Sequence, residues 1–149
     1  MAHAVIRPAR PDDLDALVGL LRILFGIEAD FDFDAARQRQ GLAMLLANEA
    51  AILLVAEAAG RVIGMCSGQL TISTAEGGFA LLVEDVVVAE PWQGKGIGRE
   101  LLAALEKWAA VRKIGRLQLL ADRNNASALE FYRKLGWEST ELICQRRRI

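Results

Sequence analysis

The chain has 149 residues, 53% of them hydrophobic and 25% charged, with a formal net charge of −1 at pH 7. That length suits one domain over residues 1–149 whose core needs no disulfide staples, and the near-neutral balance excludes the broad basic footprint of a nucleic-acid binder. No apolar run reaches the roughly 18 residues that cross a bilayer. The opening residues Met1 to Arg7 lack the apolar core of a secretory signal, so a cytoplasmic location with no membrane partner is expected.

In chain order, Ala4 to Arg7 reads as a short strand. Pro8 and Pro11 break it, and Asp12 and Asp13 supply helix-start chemistry. Leu14, Leu17, Val18, Leu21, Leu24 and Phe25 fall at helical spacing and predict an amphipathic first helix. An acidic loop with Glu28, Asp30, Asp32 and Asp34 leads to a second helix over Ala35 to Ala47. The period then changes to that of strands: Ala51 to Glu57, Arg61 to Ile72 and Phe79 to Val88, the last apolar at both parities and so covered on both faces. Gly96 opens a long helix with Ile97, Leu101, Leu105 and Trp108 on one stripe, and Gly115 is placed to end it. Arg116 to Ala121 predicts a strand, Asn125 to Leu135 a helix closed by Gly136, and Trp137 to Arg148 a final strand. The order implies an α/β domain: a mixed sheet with helices on both faces. Cys66 and Cys144 lie in apolar surroundings and read as buried reduced thiols. The one histidine, His3, sits at the start of the chain, and no cluster has metal-ligand spacing, so no metal is expected.

The most informative stretch runs from Glu84 to Arg99: a strand, a short turn, then Gly94, Gly96 and Gly98 at the mouth of a helix. Glycines let backbone N–H groups converge without Cβ obstruction, and the helix N-terminus adds partial positive charge, which together suit a pyrophosphate. Lys95 and Arg99 add charge at the rim. A Walker loop needs Ser or Thr after the lysine, and Gly96 stands there; a dinucleotide fingerprint needs a glycine where Arg99 stands. The pyrophosphate of coenzyme A is the remaining candidate.

Gln93-x-x-Gly96-x-Gly98 resembles the signature of the GNAT acetyltransferases, (Arg or Gln)-x-x-Gly-x-(Gly or Ala), in its place after the fourth strand. The block from Asn125 to Trp137, with Ala128, the Phe131-Tyr132 pair and the Gly136-Trp137 turn, is similar to the second conserved region of that family, at normal spacing. The resemblance implies the GNAT fold, with the fourth and fifth strands splayed around pantetheine. It implies acetyl-CoA as co-substrate. It also implies backbone pairing to the pantetheine arm by Val86, Val87 and Val88, pyrophosphate binding by the segment Gln93, Gly94, Lys95, Gly96, Ile97, Gly98 and Arg99, and a cofactor contact from Asn125. Tyr132, the single tyrosine of the chain, matches the position that protonates the leaving thiolate, although a packed core tyrosine is the alternative. A backbone N–H near Val86 is the expected oxyanion donor.

Glu84 and Asp85 lie near the end of the fourth strand. Alternation puts them on opposite faces unless a bulge intervenes, and bulges are common beside active sites. The Glu-Asp-x-x-Val pattern resembles polyamine acetyltransferases, and Glu-Asp-Val-Val-Val aminosugar-phosphate acetyltransferases; on that basis Glu84 is the expected base, directly or through water, with Asp85 the second choice. The loop carboxylates interleaved with Phe31 and Phe33 would attract a cationic amine; otherwise Asp34 is a helix cap and the rest are solvated. Arg146, Arg147 and Arg148 read as a solvated tail. The expected activity is acetyl transfer to a primary amine of a small molecule in a ternary complex. Acetylation of a protein N-terminus or lysine, and an acyl-CoA sensor without turnover, are the alternatives. Dimers are frequent among GNAT proteins, which leaves a homodimer open.

Overall fold

The computed structural model of the chain describes residues 3–28 and 30–149. They form two compact units, one ending at Gln118 and one spanning Leu119–Ile149.

The first unit is built on a sheet in the order β1-β2-β3-β4-β5, comprising β1 (Val5–Pro8), β2 (Ala51–Ala58), β3 (Arg61–Ser73), β4 (Gly78–Val88) and β5 (Leu117–Leu119). The first four strands are an antiparallel meander. The β2–β3 hairpin closes on Ala59-Gly60, both at positive φ (51° and 73°), the two-residue turn whose twist matches that of the strands it joins. β5 runs parallel to β4, and Leu81 N–H donates to the Arg116 carbonyl at 2.9 Å. β5 is three residues long against the eleven of β4.

Helices α1 (Leu14–Ile27) and α2 (Ala35–Ala47) cover one face of the sheet. Leu17, Val18, Leu21 and Leu42 pack with Leu53, Val55, Met65 and Val87, and each such fully buried side chain stabilises by about 1.5–3 kcal/mol. α1 is tied to the edge strand by Arg7, whose guanidinium donates to both Asp13 carboxylate oxygens at 2.8 and 3.0 Å. That pairing holds the buried Asp13 carboxyl below the usual carboxylate range. Asp34 caps α2 by accepting from Arg37 N–H at 3.2 Å, which settles its role in the acidic loop. Ala29 of that loop lies outside the described residues.

The other face carries α3 (Ile97–Val111), whose Leu101 lies so close to β3 that a Cβ on Gly64 would come within 3.3 Å of it. α3 does not run to Gly115. Lys113 takes the left-handed conformation (φ 59°), and its N–H and that of Ile114 return to the carbonyls of Ala110 and Ala109, both at 3.0 Å. This is the Schellman closure that usually uses glycine. The buried Ile114 two residues past the cap favours it here.

In the second unit, α4 (Ala126–Lys134) closes by the same motif with Gly136 at φ 91°. The final strand expected over Trp137 to Arg148 does not form: the described residues after Gly136 carry no strand. A strand exists only as part of a ladder, and the polar pattern Glu138, Ser139, Thr140, Glu141 supplies little apolar face to hold one in place. Cys66 is buried and its thiol pushed up to about 12, as expected of an inert thiol, whereas Cys144, in that strandless segment, is exposed rather than buried.

Candidate active site

The register of β4 against β3 is interrupted at the point that matters. Met65 pairs with Val87 and Ser67 with Glu84, so Asp85 and Val86 together oppose the single residue Cys66. This is a β-bulge, and Asp85 takes the left-handed conformation within it (φ 55°). Met65 and Ser67, two apart, share a face of the sheet. Their partners Val87 and Glu84, three apart, are therefore brought to that same face, the one covered by α1. The bulge also removes Asp85 and Val86 from regular pairing.

Two carboxylates sit at this interruption. Glu84 is exposed, and its Oε1 accepts from Gln69 Nε2 at 3.3 Å. Asp85 is half-buried, and burial first, then the neighbouring charges of Glu84 and of Glu28 at the end of α1, push its carboxyl up to about 7. Glu28 thus joins the site from the acidic loop. Nearby, Phe25 and Phe31 stack at 5.9 Å, and Arg22 lies over the Phe33 ring at 4.7 Å.

From Val88 the chain turns through Glu90–Trp92 into the glycine segment. Gln93 Nε2 donates to the Val88 carbonyl at 2.9 Å, tying the turn to the end of β4. Gly94 and Gly96 have φ of 76° and 83°, and no atom lies within 4 Å of where a Cβ would stand on either. Gly96 is the N-cap of α3 and offers no capping side chain, so the N–H groups of the first turn, around Ile97, Gly98 and Arg99, keep their donors. Lys95 lies over the Trp92 ring at 5.1 Å. An open cradle of left-handed glycines on an uncapped fifteen-residue helix fits an anion such as a pyrophosphate.

The first unit therefore brings Glu84, Val86, Val87, Val88 and the segment Gln93 to Arg99 into one continuous stretch. Asn125 and Tyr132 lie in the second unit. Asn125 caps α4, its Oδ1 accepting from Ala128 N–H at 3.0 Å. Tyr132 meets the rings of Phe131 and Trp137 edge-on at 5.2 and 5.8 Å, and its carbonyl accepts from Trp137 N–H at 3.0 Å. Its motif neighbours Gly136 and Trp137 are thus the closure of its own helix. No group of three metal-ligating side chains occurs among the described residues, and no helix is long and apolar enough to cross a membrane.

Sequence reading missed Ser67. It is 1% exposed, and its Oγ donates to the Glu84 carbonyl at 3.1 Å, beside the bulge. A serine within an apolar strand was the available signal.

Residues 15–137 match the model of the Acetyltransferase (GNAT) family. The chain is 30% identical over 143 residues to an aminoglycoside N(6')-acetyltransferase type 1 of Stenotrophomonas maltophilia, covering 93% of this chain and 88% of that one. It is 35% identical over 79 residues to the histone acetyltransferase TAP1 of Glycine max, covering 53% of this chain, but it spans only 31% of that protein's length. The fold is shared with an aminoglycoside N-acetyltransferase, AAC(6')-Iy, in complex with CoA (TM-score 0.85, 18% identity, 99% of this chain and 96% of that one). It is also shared with glucosamine-6-phosphate N-acetyltransferase of Arabidopsis thaliana (TM-score 0.77, 18% identity, 97% and 98%).

Proposed function

Because the chain belongs to the GNAT acetyltransferase family, we propose that it transfers the acetyl group of acetyl-CoA to a primary amine of a small molecule, by direct attack in a ternary complex. The observation that supports this reading is the continuity of a bulged strand end with an uncapped glycine turn on one run of backbone, which in this proposal serve as oxyanion donor and anion cradle. Acetyl-CoA, when bound, supplies an acyl carbon activated by its thioester. The N–H groups from Gly94 to Arg99 hold the pyrophosphate, with Gln93 fixing the turn to β4. Val86, Val87 and Val88 present backbone groups to the pantetheine arm, and the N–H near Val86 meets the charge that develops on the carbonyl oxygen. One carboxylate of the Glu84–Asp85 pair takes a proton from the acceptor ammonium, which otherwise has no lone pair. Tyr132 donates a proton to the departing sulfur, and Asn125 steadies the cofactor arm.

Support for a small amine comes from the aminoglycoside acetyltransferase relative, matched over nearly the whole chain. The carboxylates Glu28, Glu84 and Asp85 favour a cation at the same place. A protein acceptor is the second reading, favoured by the soybean histone acetyltransferase match over half the chain. Release of free thiol from acetyl-CoA, measured with kanamycin, ornithine, glucosamine 6-phosphate and a histone tail peptide, tests both. Turnover is expected with one or more of the small amines. Turnover with the peptide alone would establish the second reading, and binding of acetyl-CoA with no turnover on any acceptor would favour a sensor.

A further inference from the structure

The sheet has an unfilled edge on the side away from the β4 bulge. β1 ends at Pro8, opposite Leu54, and the Ala9 N–H then donates to the Leu53 carbonyl at 2.8 Å. β2 begins at Ala51, so Ala51 and Ile52 have no strand on their outer side. The ends of α2 and α3 flank this edge, one on each face of the sheet. Between them lies a groove of about 290 Å³, lined by Pro8, Leu46, Ile52 and Trp108 and by two charged side chains, Glu49 and Arg112. Leu46, Ile52 and Trp108 are only half-buried, so apolar surface borders the open space.

We propose that this groove binds a small zwitterion with an apolar body, an amino acid in chemical class, its carboxylate on Arg112 and its ammonium on Glu49. The proposal is independent of the acetyl-transfer reading.

The charges carry the argument. Arg112 is held in place by its own helix: its guanidinium lies over the Trp108 ring at 3.9 Å, and Nη1 donates to the Trp108 carbonyl at 3.2 Å. A cation fixed in this way costs a ligand little ordering, and its remaining N–H groups can make charge-assisted bonds to a carboxylate. Glu49 stands just past the end of α2, where the helix dipole disfavours an anion. It has no ion pair or hydrogen bond among the described residues, and none joins it to Arg112. One cation and one anion that do not neutralise each other complement a ligand carrying both charges, and oppose a phosphate or a polyamine. The volume lies at the lower limit of small-ligand sites, roughly 300–1,000 Å³. It suits an amino acid and is too small for a coenzyme.

The test is an NMR titration that follows the Trp108 indole N–H, assigned as the resonance lost in Trp108→Phe. Leucine and phenylalanine carry both charges on one carbon, whereas an ω-amino acid such as aminohexanoate carries them farther apart; the comparison identifies which spacing the groove takes. One of the two classes should shift the resonance saturably, with Kd of about 1 mM or tighter. The amide and the N-acetyl derivative of that ligand should each bind about 10-fold more weakly or worse. In Arg112→Ala the acid should bind no better than its amide, and in Glu49→Ala no better than its N-acetyl derivative. Ile52→Trp, which fills the groove, should abolish binding. Unchanged circular dichroism and acetyl-CoA affinity identify the variants that remain folded. No saturable shift from either class up to about 10 mM overturns the proposal. So does equal binding of the acid, its amide and its N-acetyl derivative by wild type, or undiminished binding in folded Arg112→Ala and Glu49→Ala.

Discussion

A carboxylate held at φ 55° within a strand is unfavourable for the fold in both backbone and side chain. Because the folded state raises the Asp85 carboxyl from 3.8 to about 7, the native protein binds its proton more tightly than the unfolded chain does. Stability therefore declines as pH rises from about 4 to about 7 and levels off above that range. Asp85→Asn removes this loss and suits the left-handed backbone. Thermal melts should show it more stable than wild type at pH 8 by roughly 1–2 kcal/mol, with no gain near pH 4. Tyr132→Phe keeps both ring contacts and the helix-closing carbonyl. With the proposed role of Tyr132 as proton donor to the leaving thiolate, the variant should lose kcat about 10²-fold, measured by thiol release on a panel amine; unchanged kcat would remove Tyr132 from that role. The Glu84-Asp85 pair was legible in the sequence as a candidate base. The bulge was not, because the phase of a strand is set by its partner's register, here Met65 and Ser67 on β3. Nor was Ser67 legible, since its role is a contact made across that register.

The strands and helices themselves were largely legible, since hydrophobic period marks buried faces: the second helix matches residue for residue, and β2 to β4 agree to within a residue at each end. The misses have particular causes. Gly115 looked like the helix stop, but the Schellman closure falls two residues earlier on Lys113, where Ile114 can be buried. Gly136 closes α4 by the same hydrogen bonds with the residue type the motif prefers. The comparison gives a direct expectation. Lys113→Gly relieves a left-handed side chain and should stabilise by about 0.5–1 kcal/mol, seen as a Tm rise of about 1–4 °C; a fall in Tm would mean that the lysine chain itself holds the corner. The final strand failed because composition can allow a strand but only a partner creates one.

At the scale of the molecule, the family match over residues 15–137 and the continuous stretch from the β4 bulge to the first turn of α3 lead to one ligand. Acetyl-CoA should raise Tm, because a ligand that binds only the native state stabilises it: about 2.7 kcal/mol at a hundred times Kd. NAD and ATP lack a pantetheine arm and should do much less. The block Asn125 to Trp137 was legible as a motif, and the structure adds what its residues do within their own helix. The acceptor was not legible, and the meeting of Glu28 with Asp85 of β4 has no sequence period that would announce it. The central claim is that the glycine turn holds the pyrophosphate of acetyl-CoA, and calorimetric titration of acetyl-CoA into wild type and Gly96→Asp tests it most directly. Space beyond Gly96 is open, so the variant should fold, with a left-handed penalty of about 1–2 kcal/mol. Binding should weaken by about 100-fold or more in the variant, since a carboxylate would stand where an anion meets backbone N–H groups; equal affinity in a variant with unchanged circular dichroism would place the pyrophosphate elsewhere.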